Sequence, residues 1–418
     1  MTTTELNADI SASANRSGVY LACLQLAYAL GWTTYVIYVP KLAAEVGIAP
    51  SAVIFMLMLD QAIFTITDTA MGFAADRIAA AYVSRLGTFV GVLAAVTCAA
   101  FVALPFVAGA GPAAKAALIG LIVIWSIASS ALRAPPLILF SRHCPKPDIP
   151  YLSAMLMLGN GVAAALSPYL GVLLRNRDAR LPFVLSSLLL LITALALSKA
   201  ERSVSKAERS VAQAALPAKP RGPAKPFGTV PVIFIAAMVI LALGYQLHFS
   251  INSEPFYLRF ARPVDLQWLM PVFWIGFNIA MFPASVIVKH RGALIVMGAA
   301  GLLGAVAVFA AEIAGGLNTL IVAQFLAGCA WGCMLMSAIS AALAIGDGGA
   351  EGKVTGLVFS ALALATFARI AAVAGGLQKL PEYAPFLHWA PVACWSVAGA
   401  GLLAVAASRL QGKSSQVL

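Results

Sequence analysis

The sequence predicts an all-α polytopic membrane protein of twelve transmembrane helices arranged as two six-helix repeats. Three observations carry that prediction. The 418 residues are 61% hydrophobic and only 10% charged, whereas a soluble domain is about 25% charged. Apolar runs recur along the chain, most of them long enough to cross a bilayer, which takes ~20 mostly apolar residues per helix. Finally, ionisable residues interrupt those runs: Asp60 and Asp68 in 51–74, Arg133 in 114–140 and Arg369 in 354–376. A charge at the bilayer centre costs at least about 2.5–3.5 kcal/mol, so intramembrane charges are functional candidates by default.

The helices are expected at 18–42, 51–74, 86–109, 114–140, 151–174, 181–198, 229–252, 266–288, 292–311, 318–345, 354–376 and 388–407. Barrel strands are excluded, because they need only ~10 residues and alternate in polarity. With the N-terminus in the cytoplasm, inside segments hold 17 Lys and Arg and outside segments 8. This bias places both termini in the cytoplasm of a plasma (inner) membrane protein. The polar N-terminal stretch through Arg16 lacks a signal-peptide cleavage pattern, so the first helix is expected to stay.

The chain therefore divides into a tail at 1–17, a six-helix bundle at 18–198, a basic cytoplasmic linker at 199–228, a second bundle at 229–407 and a tail at 408–418. The linker reads as a flexible tether that could also touch anionic lipid. A weak internal repeat supports the division. Ala29-Leu30-Gly31-Trp32 followed by Tyr35 matches Ala242-Leu243-Gly244-Tyr245 followed by His248, and Asp76-Arg77 matches His290-Arg291 at nearly the same offset. Such offsets suggest parallel repeats about an axis along the membrane normal.

The net charge of +11 does not imply a nucleic-acid partner, because the basic residues fall in short loops between apolar runs. The six cysteines are scattered, five of them inside apolar runs, and read as packing residues rather than a disulfide framework. Cys329 and Cys333 share a helix face but lack His or acidic partners nearby, so no metal and no cofactor is expected. With no P-loop, no metal motif and no sizeable soluble loop, enzyme chemistry is not expected either.

The architecture resembles the major facilitator superfamily: six helices, a basic linker, six helices, both ends inside. The loop after helix 2 carries the local likeness. Gly72-Phe73-Ala74-Ala75-Asp76-Arg77 matches the front half of the superfamily motif, while the following glycine and adjacent basic pair are missing and Arg85 alone arrives later. Thr67-Asp68-Thr69-Ala70-Met71-Gly72 is also similar to the Asp-Pro-x-x-Gly segment of the sugar:cation symporters related to the melibiose carrier, with Thr69 in place of proline. Asp60 lies eight residues before Asp68, a wider spacing than in those symporters, so sodium and sugar specificity are not carried over. Ser167-Pro168-Tyr169-Leu170-Gly171 loosely resembles an antiporter motif.

The resemblance implies that Asp76 and Arg77 help gate the cytoplasmic side. It also implies that helices 1 and 7 line the cavity. That makes Gln25, Trp32, Tyr35, Tyr245, Gln246, His248 and Asn252 candidates for substrate contact, joined by Trp274 and Asn278 on helix 8 and Asn160 on helix 5. Rings carrying one polar atom suit an apolar pocket with a few fixed hydrogen bonds. A rise of 1.5 Å per residue puts Asp68 level with Arg133 and Asp60 not far from Arg369. Both are expected as ion pairs, with Arg133 and Arg369 as substrate anchors and Asp60 and Asp68 as proton carriers. Helices 2 and 11 meet at the junction of the halves in the superfamily fold, where such a pair could make and break.

Gly328 and Gly332, and Gly87 and Gly91, have the small-xxx-small spacing of close helix packing, and Pro135-Pro136, Pro168, Pro271 and Pro283 are expected to kink helices or open the backbone. Functionally, the sequence points to a monomeric secondary carrier in the lipid bilayer, moving a small organic anion, such as a carboxylate, by proton-coupled symport and alternating access. Buried arginines favour a negative cargo, which they can hold in fork geometry. The competing reading is a proton-driven exporter of drug-like or amphipathic compounds, with the aspartates binding cargo or proton and the arginines structural.

Overall fold

The computed structural model describes residues 3–81, 86–137, 146–212 and 228–414. Arg85, Arg142, His143, Cys144 and linker residues 213–227 lie outside the described residues. Among the described residues there is no strand, and each of the twelve expected segments falls on a helix. We number these α1 (Thr3–Glu45), α2 (Pro50–Ala81), α3 (Leu86–Ala103), α4 (Ala114–Ala131), α5 (Ile149–Leu174), α6 (Arg180–Ala212), α7 (Thr229–Leu247), α8 (Pro271–Arg291), α9 (Ala293–Glu312), α10 (Leu317–Ile345), α11 (Glu351–Ala374) and α12 (Ala384–Ser414). Among the described residues, ten spans are long and apolar enough to cross a membrane. One of them, Phe89–Leu137, contains both α3 and α4, and Arg180–Ala196 is a shorter apolar helix.

Local chemistry explains the interruptions. Between α3 and α4 the chain narrows to a 3-10 stretch, Leu104–Ala113, in which Gly111 takes φ +59 before Pro112. That left-handed turn favours glycine, which has no Cβ. α4 stops at Ala131 and helix resumes at Ala134. Pro135 and Pro136 explain the break, because neither can donate a backbone hydrogen bond to the preceding turn. α7 continues beyond Leu247 through a π turn, His248–Asn252, into Ser253–Leu258. α6 runs on to Ala212, so the segment expected as flexible linker is helical over residues 199–212. Ser, Lys, Glu and Ala in that stretch form a polar helix, which a reading based on hydropathy alone passes over.

Within the first six helices α1 packs on α5 and α6, and α3 on α4 and α6. Within the second six, α10 packs on α8 and α9, and α12 on α7 and α9. The two sets meet where α2 lies along α11 and α5 along α8. Small residues set those approaches. A Cβ on Gly72 would stand 2.2 Å from the Gly352 carbonyl oxygen, and one on Gly356 would stand 2.5 Å from that of Asp68. Gly328 and Gly332 seat α10 against the Phe273 and Phe277 carbonyls of α8 as their spacing suggested, whereas Gly91 faces open space. Large apolar side chains such as Ile66, Leu188, Leu303, Val306 and Val397 are exposed on the outside, as lipid contact requires and water would not favour.

A side chain at residue 328 would collide with backbone, since a Cβ there meets the Phe273 oxygen at 1.8 Å. Gly328→Val should therefore lower stability by at least ~2 kcal/mol through overpacking. Gly120→Val, at an exposed position with nothing within 4 Å of a Cβ, should leave it unchanged. Thermal unfolding in detergent distinguishes the two variants.

Candidate functional site between the two helix bundles

A cavity of about 340 Å³ lies between the bundles. From the first six helices it is lined by Gln25, Tyr28 and Trp32 of α1, Gln61 and Phe64 of α2, Arg133 beyond α4, and Met157 and Asn160 of α5. From the second six come Tyr245, Gln246 and Ser250 of the α7 segment, Leu335 of α10, and Phe359, Leu362, Thr366 and Arg369 of α11. α1, α2, α5 and α11 each supply residues at three- or four-residue spacing, one face of a 3.6-residue turn. The lining is thus mixed: two guanidinium groups, several amides and hydroxyls, and five aromatic rings.

Arg133 projects from the break that follows α4. Its Nη2 lies 3.1 Å from Asp68 Oδ2, and the Asp68 side chain is 1% exposed. The contact is an ion pair without an aligned hydrogen bond: both Asp68 oxygens, and Nε and Nη2 of Arg133, are buried and lack a hydrogen-bond partner. Aromatic faces complete the surroundings of the cation. The guanidinium carbon stands 4.6 Å from the Phe64 ring centroid, 5.7 Å from that of Phe359 and 5.8 Å from that of Tyr28, which stabilises a desolvated cation. Arg369 lines the same cavity from α11 with no carboxylate partner among the described residues, and its buried Nε is unbonded.

The expected Asp60–Arg369 ion pair does not form. Asp60 is fully buried and accepts hydrogen bonds from Tyr35 Oη at 2.7 Å and Ser126 Oγ at 2.6 Å. It faces α1 and α4 rather than α11. Matching levels along the membrane normal says nothing about direction around a helix, and one residue turns the side chain by 100°. The neighbouring Gln61 is the one that faces the cavity.

Gln25, Trp32, Tyr245, Arg133 and Arg369 therefore reach the cavity, as do Gln246 and Asn160. Tyr35, His248, Trp274, Asn278 and Asn252 lie outside its lining. His248 is buried and joined to Gln324 of α10, its Nε2 standing 3.1 Å from Oε1. Trp274 packs among Tyr245, Phe249, Phe273 and Phe277. Asn278 abuts Gly161 at the α5–α8 seam, and Asn252 donates to the Leu387 carbonyl at 2.8 Å. Tyr28, Phe64, Phe359 and Thr366 were not singled out from the sequence. Three of them carried a signal in helical spacing from residues that were, Tyr28 from Gln25 and Trp32, Phe64 from Asp68, and Thr366 from Arg369; Phe359, ten residues before Arg369, carried none.

The internal repeat has structural content. Trp32 of α1 and Tyr245 of α7 both line the cavity. Their partners three residues on, Tyr35 and His248, are both buried behind it and bonded to a neighbouring helix. Trp32 stacks on Trp125 at 6.0 Å and Tyr245 on Trp331 at 4.5 Å.

One end of the α2–α11 seam is closed by polar contacts. Asp76 Oδ1 accepts from Gly352 N, and Oδ2 from Lys353 N, each at 2.7 Å. A carboxylate is favoured there by the unpaired N–H groups and dipole of a helix N-terminus. Lys146 and Asp347 form an ion pair nearby. Farther along the seam, Ser360 donates to the Thr65 carbonyl and shares a hydrogen bond with Thr69, both at 2.7 Å. Arg77, grouped with Asp76 from the sequence, is exposed.

Removing one partner of a buried ion pair typically costs about 3–5 kcal/mol, because the other charge is stranded. Asp68→Asn and Arg133→Gln should each destabilise the protein on that scale, and the double variant by less than either sum would give. A double-mutant cycle by thermal unfolding measures the difference.

Comparison with known proteins agrees with this architecture. The sequence profile of the Major Facilitator Superfamily matches residues 21–368. No curated protein sequence matches the chain. Among solved structures, a bacterial homologue of the iron transporter ferroportin in an outward-facing state superposes with a TM-score of 0.68 at 14% identity, over 93% of this chain and 98% of that one. The human organic anion transporter MFSD10 (TETRAN) gives 0.66 at 14% identity over 93% and 98%. The proton:xylose symporter XylE, bound to 6-bromo-6-deoxy-D-glucose, gives 0.62 at 13% identity over 93% and 95%. At such identities the likeness carries the fold, and with the profile spanning most of its length the chain belongs to the Major Facilitator Superfamily of membrane transporters.

Proposed function

We propose that this protein is a proton-coupled symporter of a small organic anion, a carboxylate, working by alternating access in the plasma membrane with both termini in the cytoplasm. The observation that supports it is the charge of the cavity: two guanidinium groups line it and, among the described residues, a single carboxylate, Asp68, opposes them. Asp60 is turned away and held by hydroxyl donors. Such a cavity attracts an anion and repels a cation, which argues against export of cationic compounds.

The proton follows from competition. An anion in the cavity draws on Arg133, whose bond to Asp68 is an ion pair with no aligned hydrogen bond. When the anion takes the guanidinium, Asp68 loses its counter-charge in a dry site, and a proton on its carboxyl removes the penalty of a stranded charge. Anion and proton then cross together. The Asp76 cap on α11 and the Lys146–Asp347 pair form the cytoplasmic latch that must open to release them.

Reconstituted protein should accumulate labelled carboxylate when the outside is acidic, and a protonophore should collapse the accumulation. Arg369→Ala is the cleaner variant, since it strands no carboxylate, and it should reduce uptake to background in correctly inserted protein. Arg133→Ala should do the same. Normal uptake in both variants contradicts the proposal.

A further inference from the structure

The two cavity arginines come from different bundles. Arg133 follows α4 and Arg369 sits on α11, yet both line one cavity of about 340 Å³. Each retains donor atoms that are buried and unbonded: Nε and Nη2 of Arg133, Nε of Arg369. Donors without partners are costly, and because both arginine side chains line the cavity, an anion bound there would offset that cost. On the Arg369 side the hydroxyl and amide groups are already engaged with one another, Gln246 Nε2 donating to Thr366 Oγ1 at 2.7 Å and Ser250 Oγ to Gln246 Oε1 at 3.1 Å. Gln25, Gln61 and Asn160 add neutral amides to the lining, but Arg133 and Arg369 are its only charged side chains among the described residues.

We infer that the substrate is a dianion, a short dicarboxylate whose two carboxylates are held one by Arg133 and one by Arg369, so that the ligand itself bridges the two bundles. This rests on the organic-anion reading above and makes it narrower. Charge balance fits. Once Asp68 carries the proton, the cavity holds two positive charges, and two carboxylates neutralise them. A monoanion leaves one guanidinium desolvated and unpaired when the bundles close. The bridge also gives closure a driving force, because the second carboxylate reaches its partner only when the bundles come together around the ligand.

The test compares each of succinate, glutarate and adipate with its own monomethyl ester, which keeps the chain length and removes one charge while adding one methyl group. Binding to purified full-length protein is measured by calorimetry and by thermal stabilisation. The best diacid should bind at least about tenfold more tightly than its half-ester, the value of one charge-assisted hydrogen-bonded contact. In Arg369→Gln that ratio should fall to about one, with Gln keeping polarity but neither the charge nor the reach of the guanidinium. Half-esters binding as tightly as diacids in the wild-type protein would overturn the dianion bridge while leaving the organic-anion reading intact. So would an unchanged ratio in a folded Arg369→Gln protein. If neither diacids nor half-esters bind at all, the organic-anion reading fails and takes this inference with it.

Discussion

A buried ion pair that borders the central cavity, Asp68 with Arg133, is the contact on which the site depends. Two charges in a chain this apolar can persist only if the helices keep lipid from them and give each a partner. The protein does both. α2 supplies the carboxylate, the broken end of α4 supplies the guanidinium, and rings from α1, α2 and α11 surround the cation. The pair is not saturated by hydrogen bonds. A staple whose only task was stability would gain from aligned bonds, whereas a pair that exchanges partners with a cargo needs donors held in reserve.

The same arrangement separates what moves from what holds. Asp68 and Arg133 belong to one bundle, so relative motion of the bundles does not by itself part them; a ligand must. The contacts that cross between bundles are different in kind. Glycines let α2 and α11 approach until backbone touches backbone, Thr65, Thr69 and Ser360 exchange hydrogen bonds, and Asp76 caps α11. These are short, local and concentrated along a seam, which suits surfaces that separate and re-form. Asp60, by contrast, lies deep in the first bundle with Tyr35 and Ser126, joining α1, α2 and α4 into one body.

Much of this was legible in the sequence. Length and apolarity gave the helices, and charges inside apolar runs gave Asp68 and Arg133 as partners, since both level and face agreed. Pro135-Pro136 marked the break that frees Arg133. Gly72 and Asp76 marked the contact with α11. What failed was direction. Asp60 and Arg369 share a level but not a face, and the helical period does not reveal this: Asp60 lies four residues before Phe64, and only its bonds to Tyr35 and Ser126 show that it turns into the first bundle. The π turn at His248–Asn252 has no propensity signal; its first and last residues are held by tertiary bonds to Gln324 and Leu387. The Trp125–Trp331 correspondence was hidden because flanking residues differ, and only the shared stacking on Trp32 and Tyr245 exposes it.

The central claim is that these charges border an aqueous path open to one side at a time. Thiol labelling tests it most directly: single cysteines at Gln61 and Thr366, one from each bundle, in a background with the native cysteines replaced, probed by membrane-impermeant reagents from each face. The account predicts reaction from one face at rest, with reactivity shifting to the opposite face when Asp76→Ala removes the cap on α11. Cysteines that stay unreactive from both faces, with the cap intact and with it removed, would contradict it.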